Sequence, residues 1–248
     1  MSPRIVECEL TFIDRTPIDF PLAARQHEEY RAALKRHSAT VEELSGNESY
    51  PDSCFVEDTA IVVDEVAVIT SMGAVSRRGE TALIERALSR YRDIVRVSLP
   101  ATIEGGDVLR VGKKIYVGQS SRTNALGVEE LAKVLNPLGY EVIPVETKRS
   151  LHLKSACTAI DDETLIVNPG WVELDSFRGF NLLRTPAEEP WSANVLRVGP
   201  TVFLQAGFPR TLEMVQRVTE KVEVVDTSEL GKAEGALTCL SIIFESAI

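Results

Sequence analysis

The sequence predicts an α/β protein in which five strand–turn–strand–helix–strand units close around a common axis. Two observations lead there. Short apolar runs come in pairs joined by tight turns, then a helix-period segment, then a third apolar run. This order recurs about every 45 residues along the 248-residue chain. No Gly/Ser-rich or Pro-rich linker divides the chain, so the repeats read as one domain over residues 1–248. A unit of this size cannot bury a face alone, which is why the five must close on one another.

The first unit is read from Phe55–Val62 and Val66–Thr70 as strands around the turn Asp64-Glu65. Ile84, Ala87, Leu88 and Tyr91 then fall at i, i+3, i+4, i+7 of a helix, and Val95-Arg96-Val97 closes it. The second pairs Val108–Val111 with Ile115–Val117 across Gly112-Lys113-Lys114. Its helix places Val128, Leu131, Ala132 and Leu135 on one face, and Tyr140–Ile143 is its last strand. A fainter copy runs from His152 through Thr164–Asn168 to the turn Pro169-Gly170. The next has strands at Ala193–Val198, Val202–Leu204 and Val222–Val225, with a helix after Pro209-Arg210-Thr211. The fifth joins Leu237–Phe244 as a strand to an N-terminal strand, Ile5–Cys8, and to a helix around residues 27–44.

Composition narrows the function. Lys plus Arg is 27 and Asp plus Glu is 37, a net charge of −10, which argues against binding nucleic acid or an anionic membrane. No apolar run approaches the roughly 20 residues of a membrane span. Met1–Cys8 has no signal-peptide core, so a reducing cytoplasm is expected. Cys8, Cys54, Cys157 and Cys239 form no C-x-x-C pair, and there are three histidines (His27, His37, His152), so neither disulfides nor a metal is expected.

The unusual polar residues stand at the heads of the units. Asp52, Glu57 and Asp58 cluster just before an apolar strand, where carboxylates are costly to bury unless paired. They read either as a solvated loop or as a pocket for a cation, and a guanidinium suits carboxylates because its planar N–H fork pairs with them bidentately. Glu104-Gly105-Gly106-Asp107 reads as a hairpin or a close backbone approach. His152 between leucines and Cys239 in an apolar run each read as core residues when taken singly. Taken together, a Cys, a His and an acid at matching points of successive repeats could converge on the axis as nucleophile, base and orienter.

The ordered set Pro51–Asp58, Ser76–Glu80, Glu104–Asp107, Ser121–Asn124, His152–Lys154 and Leu237–Ser241 resembles the dimethylarginine dimethylaminohydrolases. The resemblance runs from about residue 45 to 244 in order and spacing. It implies the five-bladed α/β propeller (pentein) of pseudo-fivefold ββαβ units. It also implies Cys239 as nucleophile, His152 as general acid/base and Glu104 as its orienter. Asp58 with Glu57 would hold the guanidinium, Asp52 would face the α-amino group, and Arg77 and Arg122 would clamp the α-carboxylate. The reaction implied is hydrolysis of Nω-methylated or dimethylated arginine to citrulline and an amine through a Cys239 thiouronium, with no cofactor. The partner is then a small-molecule substrate, and the resemblance is compatible with a homodimer. The family carries a longer flap over its pocket than Ile18–Arg25 offers here. Rival readings are an arginine deiminase or amidinotransferase on the same scaffold, or a non-catalytic binding propeller.

Overall fold

In a computed structural model the described residues are 1–37 and 40–245. Four units each carry one three-stranded sheet, in which the second strand lies between the first, antiparallel to it, and the third, parallel to it. The first sheet holds β1 (Ala60–Val62), β2 (Val66–Ile69) and β3 (Asp93–Arg96). The second holds β4 (Val108–Val111), β5 (Lys114–Gln119) and β6 (Glu141–Glu146), and the third β7 (Cys157–Ala159), β8 (Thr164–Val167) and β9 (Asn181–Arg184). The fourth holds β10 (Val195–Val198), β11 (Thr201–Gln205) and β12 (Val222–Val225). The parallel return is carried by α2 (Thr81–Leu88), α3 (Ala125–Leu135) and α4 (Pro209–Gln216) in three of them. In the third unit a single 3-10 turn, Leu174–Phe177, replaces the helix, which is why that copy is faint in the sequence.

The middle strands are buried through their centres, β2 and β8 at every position, so they read as short apolar runs. α3 shows how local chemistry sets an element. The Asn124 side chain caps it by accepting from the Gly127 N–H at 2.8 Å, and Val128, Leu131 and Leu135 form its buried stripe. Pro137 and the left-handed Gly139 then end it.

The fifth unit differs from its expectation. Its helix, α1 (Phe20–His37), begins earlier than residue 27, and residues 38 and 39 of the expected 27–44 span lie outside the described residues. Neither expected strand forms. Pro3–Glu7 is a 3-10 helix, and Leu237–Phe244 holds a 3-10 turn at Thr238–Leu240 followed by unpaired extended chain. The N–H groups of Ile5 and Cys8 are already used within the N-terminal turn, by the carbonyls of Ser2 and Ile5, so these residues present no ladder edge. The C-terminal segment is held by side chains instead: the Tyr30 hydroxyl donates to the Leu237 carbonyl at 3.0 Å and lies 2.7 Å from the Ser241 hydroxyl.

Closure is visible in the core, which is divided into five apolar clusters that each straddle two neighbouring units. Val68 and Val117 meet between the first and second, Tyr116 and Leu165 between the second and third, and Ile166 and Val202 between the third and fourth. Phe203 meets Tyr30 and Leu237 between the fourth and fifth. Ile242 and Phe244 return to Ile69 and Ile84 of the first, which shuts the ring. Among the described residues no helix is long and apolar enough to cross a membrane.

One helix position inverts the ordinary propensity rule. Gly→Ala inside a helix normally stabilises by about 1 kcal/mol, yet a Cβ on Gly127 would stand 2.0 Å from the Thr102 carbonyl oxygen, where α3 crosses the chain entering the second unit. Gly127→Ala is therefore expected to destabilise by about 1–3 kcal/mol through overpacking, read as a lower urea midpoint.

Candidate active site

Four short 3-10 turns stand at the heads of units and pack on one another at the centre of the ring: Val56–Thr59, Gly105–Asp107, Leu153–Ser155 and Thr238–Leu240. Each lifts polar side chains out of the sequence just before or beside a buried run. The first carries Glu57 and Asp58, and the fourth carries Cys239. Glu104 and His152 are the residues immediately before the second and third turns. Cys239 thus sits in a tight turn rather than in the strand expected from its apolar neighbours. Cys239 is partly exposed as a residue, whereas Cys8, Cys54 and Cys157 are buried.

Asp52, Asp58, Arg77, Arg122, His152 and Cys239 line one cleft at this point, and Glu104 lies behind it, fully buried. His152 Nε2 is 2.8 Å from Glu104 Oε2 and 3.9 Å from Asp58 Oδ1. The other Glu104 oxygen accepts from the Gly73 and Ala74 N–H groups at 3.0 and 3.2 Å and lies 3.6 Å from the Arg122 guanidinium. Asp58 accepts from the Gly106 N–H at 3.0 Å and from Arg77 at 2.6 Å. A Cβ at Gly106 would lie 2.6 Å from His152 Nδ1 and 2.7 Å from Asp58 Oδ1, so the paired glycines mark a close approach and not merely a hairpin.

The charges set the protonation states. Burial alone would lower the His152 imidazole, but the Asp58 charge, the Glu104 hydrogen bond and the Asp107 charge outweigh it and lift the pKa to about 9. Burial likewise pushes Glu104 up, and the bond to and charge of His152, with Arg77 and Arg122 behind it, reverse that and bring it to about 2. Burial, then the Glu57 and Asp58 charges, push the Cys239 thiol up. At neutral pH the site therefore holds an imidazolium hydrogen-bonded to the Glu104 carboxylate, and a neutral thiol.

The two arginines are placed differently. Arg77 donates Nε to Glu80 at 3.2 Å, one terminal nitrogen to Asp58 and the other to Glu80 and the Phe55 carbonyl at 2.9 Å, so its fork largely faces the protein. Arg122 donates to the Thr11 hydroxyl at 3.0 Å and is otherwise less engaged. Asp52 accepts from the Glu9 N–H at 3.1 Å. The segment at the cleft is thus Glu9–Ile13; Ile18–Arg25, considered as flap from the sequence, mostly forms the first turns of α1.

Lys154, Thr238 and Asn194 stand at the site although the sequence assigns them no role. Glu57 pairs with Lys154 at 2.5 Å and accepts from the Thr238 hydroxyl at 2.8 Å. Asn194 donates to the Lys154 carbonyl at 2.9 Å and to the Thr238 hydroxyl at 3.0 Å, and accepts from the Thr238 N–H at 3.2 Å, which ties the histidine turn to the cysteine turn. Asp107 accepts from the Leu153 N–H at 2.9 Å and from the Ser120 hydroxyl at 2.6 Å. Alignment of the repeats would have found Asn194, since it and Asp107 each stand immediately before the first strand of a unit.

Asp58, Glu104 and His152 offer ligand atoms within 4.8 Å of one another, the spacing of a metal site. The donor set suits one poorly: the imidazole is held protonated, and both carboxylates already accept from backbone N–H and arginine groups.

The family model described as N,N dimethylarginine dimethylhydrolase, eukaryotic, matches residues 18–179. The N(G),N(G)-dimethylarginine dimethylaminohydrolase of Streptomyces coelicolor is 40% identical over 242 residues, 97% of this chain and 93% of that one. The enzyme of the same name from Pseudomonas aeruginosa is 36% identical over 228 residues, 91% and 90% of the two chains. The structure of a cysteine-to-serine mutant of the P. aeruginosa protein, complexed with citrulline, superposes with a TM-score of 0.91 at 34% identity, over 96% of this chain and 94% of that one.

The buried pair gives a pH dependence of stability. His152 is raised from 6.5 to about 9, so its contribution is full below about pH 6.5 and is lost as pH rises through about 9. Glu104 is lowered from 4.5 to about 2, so its share is present above about pH 4.5 and is lost as pH falls through about 2. Unfolding free energy from urea titrations should fall by on the order of 1–3 kcal/mol between about pH 6 and 9.5 from this source. The drop should shrink in Glu104→Gln, and equal drops in both proteins would separate the pair from alkaline destabilisation.

Proposed function

Because the chain belongs to the dimethylarginine dimethylaminohydrolase family, we propose that it hydrolyses Nω-methylated or dimethylated L-arginine to L-citrulline and methylamine or dimethylamine. The observation that carries the reading is the meeting, in one cleft, of a partly exposed cysteine, an imidazole hydrogen-bonded to a buried carboxylate, and a second carboxylate close to that imidazole.

The substrate enters as two charged ends and is matched at both. Its guanidinium lies against Asp58, with Glu57 adding negative charge nearby, which keeps the central carbon electrophilic. Its α-carboxylate goes to Arg122, with Arg77 adding positive charge from behind, and its α-amino group to Asp52. Arrival of the cation reverses the electrostatics that hold the Cys239 thiol neutral, and the thiol releases its proton on binding. The thiolate attacks the guanidinium carbon and forms a C–S bond. The His152 imidazolium, held by Glu104, gives its proton to the methylated nitrogen, the C–N bond breaks, and the amine departs. The thiouronium that remains is attacked by a water whose proton returns to His152. The second tetrahedral species expels the Cys239 sulfur as its C–S bond breaks, the thiolate takes up the remaining hydroxyl proton, and neutral citrulline leaves.

Incubation with dimethylarginine should give citrulline and dimethylamine in equal amounts. Citrulline with ammonia from unmethylated arginine would make it a deiminase, transfer to an acceptor amine an amidinotransferase, and no turnover a binding propeller. Cys239→Ser should abolish turnover with the fold intact.

The imidazolium requirement sets the alkaline limit, so turnover should fall as pH rises through about 9. Arg122→Ala should cost about 2–5 kcal/mol of kcat/KM, mostly in KM. The loss should be much smaller for a guanidine without the carboxylate, and equal losses for both substrates would make Arg122 structural.

A further inference from the structure

The reaction leaves the Glu234 carboxylate unused. Glu234 stands five positions before Cys239 and lines the same cleft. Its oxygens accept from three successive backbone N–H groups, those of Thr11, Phe12 and Ile13, at 2.8, 2.5 and 2.9 Å. Three consecutive amides turned toward one point form an anion-holding concavity, and here the anion is a side chain more than 200 residues away in sequence. Glu234 also has φ of 58°, a left-handed backbone that glycine, asparagine or aspartate adopts more readily. A glutamate at that position gains nothing from its backbone, so the reason for it lies in the side chain.

The segment it holds touches residues assigned to the amino-acid end of the substrate. The Glu9 N–H donates to Asp52, the Thr11 hydroxyl accepts from Arg122, and the Glu9 carboxylate accepts from Ser76 at 2.7 Å. We propose that Glu234 is a positioning residue: it fastens residues 11–13 across the mouth of the cleft, and through Thr11 and Glu9 presets Arg122 and Asp52 for the amino-acid end of the substrate. This rests on the functional reading above. Without the fastening the segment would have to be ordered on binding, which weakens affinity. The guanidinium end, built on the packed 3-10 turns, is untouched.

Glu234→Gly is the informative variant, because glycine suits the left-handed backbone and removes only the carboxylate, so the fold is kept. KM for methylated arginine is expected to rise about tenfold or more, with kcat within about threefold of wild type. Hydrogen exchange of the Thr11, Phe12 and Ile13 amides is expected to speed up at least ~10-fold, with the amides of β2 and β8 unchanged. An unchanged KM, a loss confined to kcat, or wild-type exchange at those three amides overturns the proposal. If the wild-type protein makes no citrulline, the functional reading falls, and the exchange measurement still decides whether Glu234 fastens the segment.

Discussion

Everything at the centre of this ring depends on keeping charge out of water without leaving it unpaired. Asp58, Arg77, Glu80, Glu104 and His152 are each no more than 4% exposed. A lone ion in such a place would neutralise or drag in solvent. Here every one has a partner within ion-pair distance: Glu80 holds Arg77, Arg77 holds Asp58, and Asp58 and Glu104 flank His152. The chain of alternating sign crosses from the first unit to the third and from there to the second, so the same contacts that set the charges of the cleft also fix how the units sit. The protonation of His152 is thus a property of the ring and not of the residue.

The division of labour between backbone and side chains follows from that constraint. The 3-10 turns supply close approach and N–H donors, and Gly106 lets the histidine and aspartate come together where a methyl group would separate them. Asn194 holds the histidine turn against the cysteine turn by bonds to the Lys154 carbonyl and the Thr238 N–H, and none of these groups titrates. The charged groups are then free to change state during turnover while the frame that carries them does not.

Much of this was legible in the sequence, for physical reasons that also explain what was not. Middle strands such as Val66–Ile69 and Thr164–Val167 are buried on both faces, so composition marks them without help from context. Glu57, Asp58, Glu104, His152 and Cys239 stood out because they sit at repeated positions where polarity is costly. The fifth unit misled because Leu237–Phe244 has strand composition, yet its backbone finds no ladder edge and is held by Tyr30 instead. Arg77 reads from the sequence as a substrate clamp, and its engagement by Glu80 and Asp58 appears only in three dimensions. Thr11 and Glu234 are ordinary residues in ordinary contexts, and their meaning lies wholly in a contact across more than 200 positions.

The order of the units along the chain has a consequence for when reactivity appears. Glu57, Asp58, Glu104 and His152 arrive in the first three units, while the Cys239 thiol lies in the turn that shuts the ring against the first. Long-range contacts of this kind form late, because the loop they close spans most of the chain. A partly folded molecule can therefore hold native sheets and still have its Cys239 far from the imidazole and carboxylates. Chemical competence and topological completion become one event, which makes the reactivity of a single sulfur atom a reporter of whether the ring has closed.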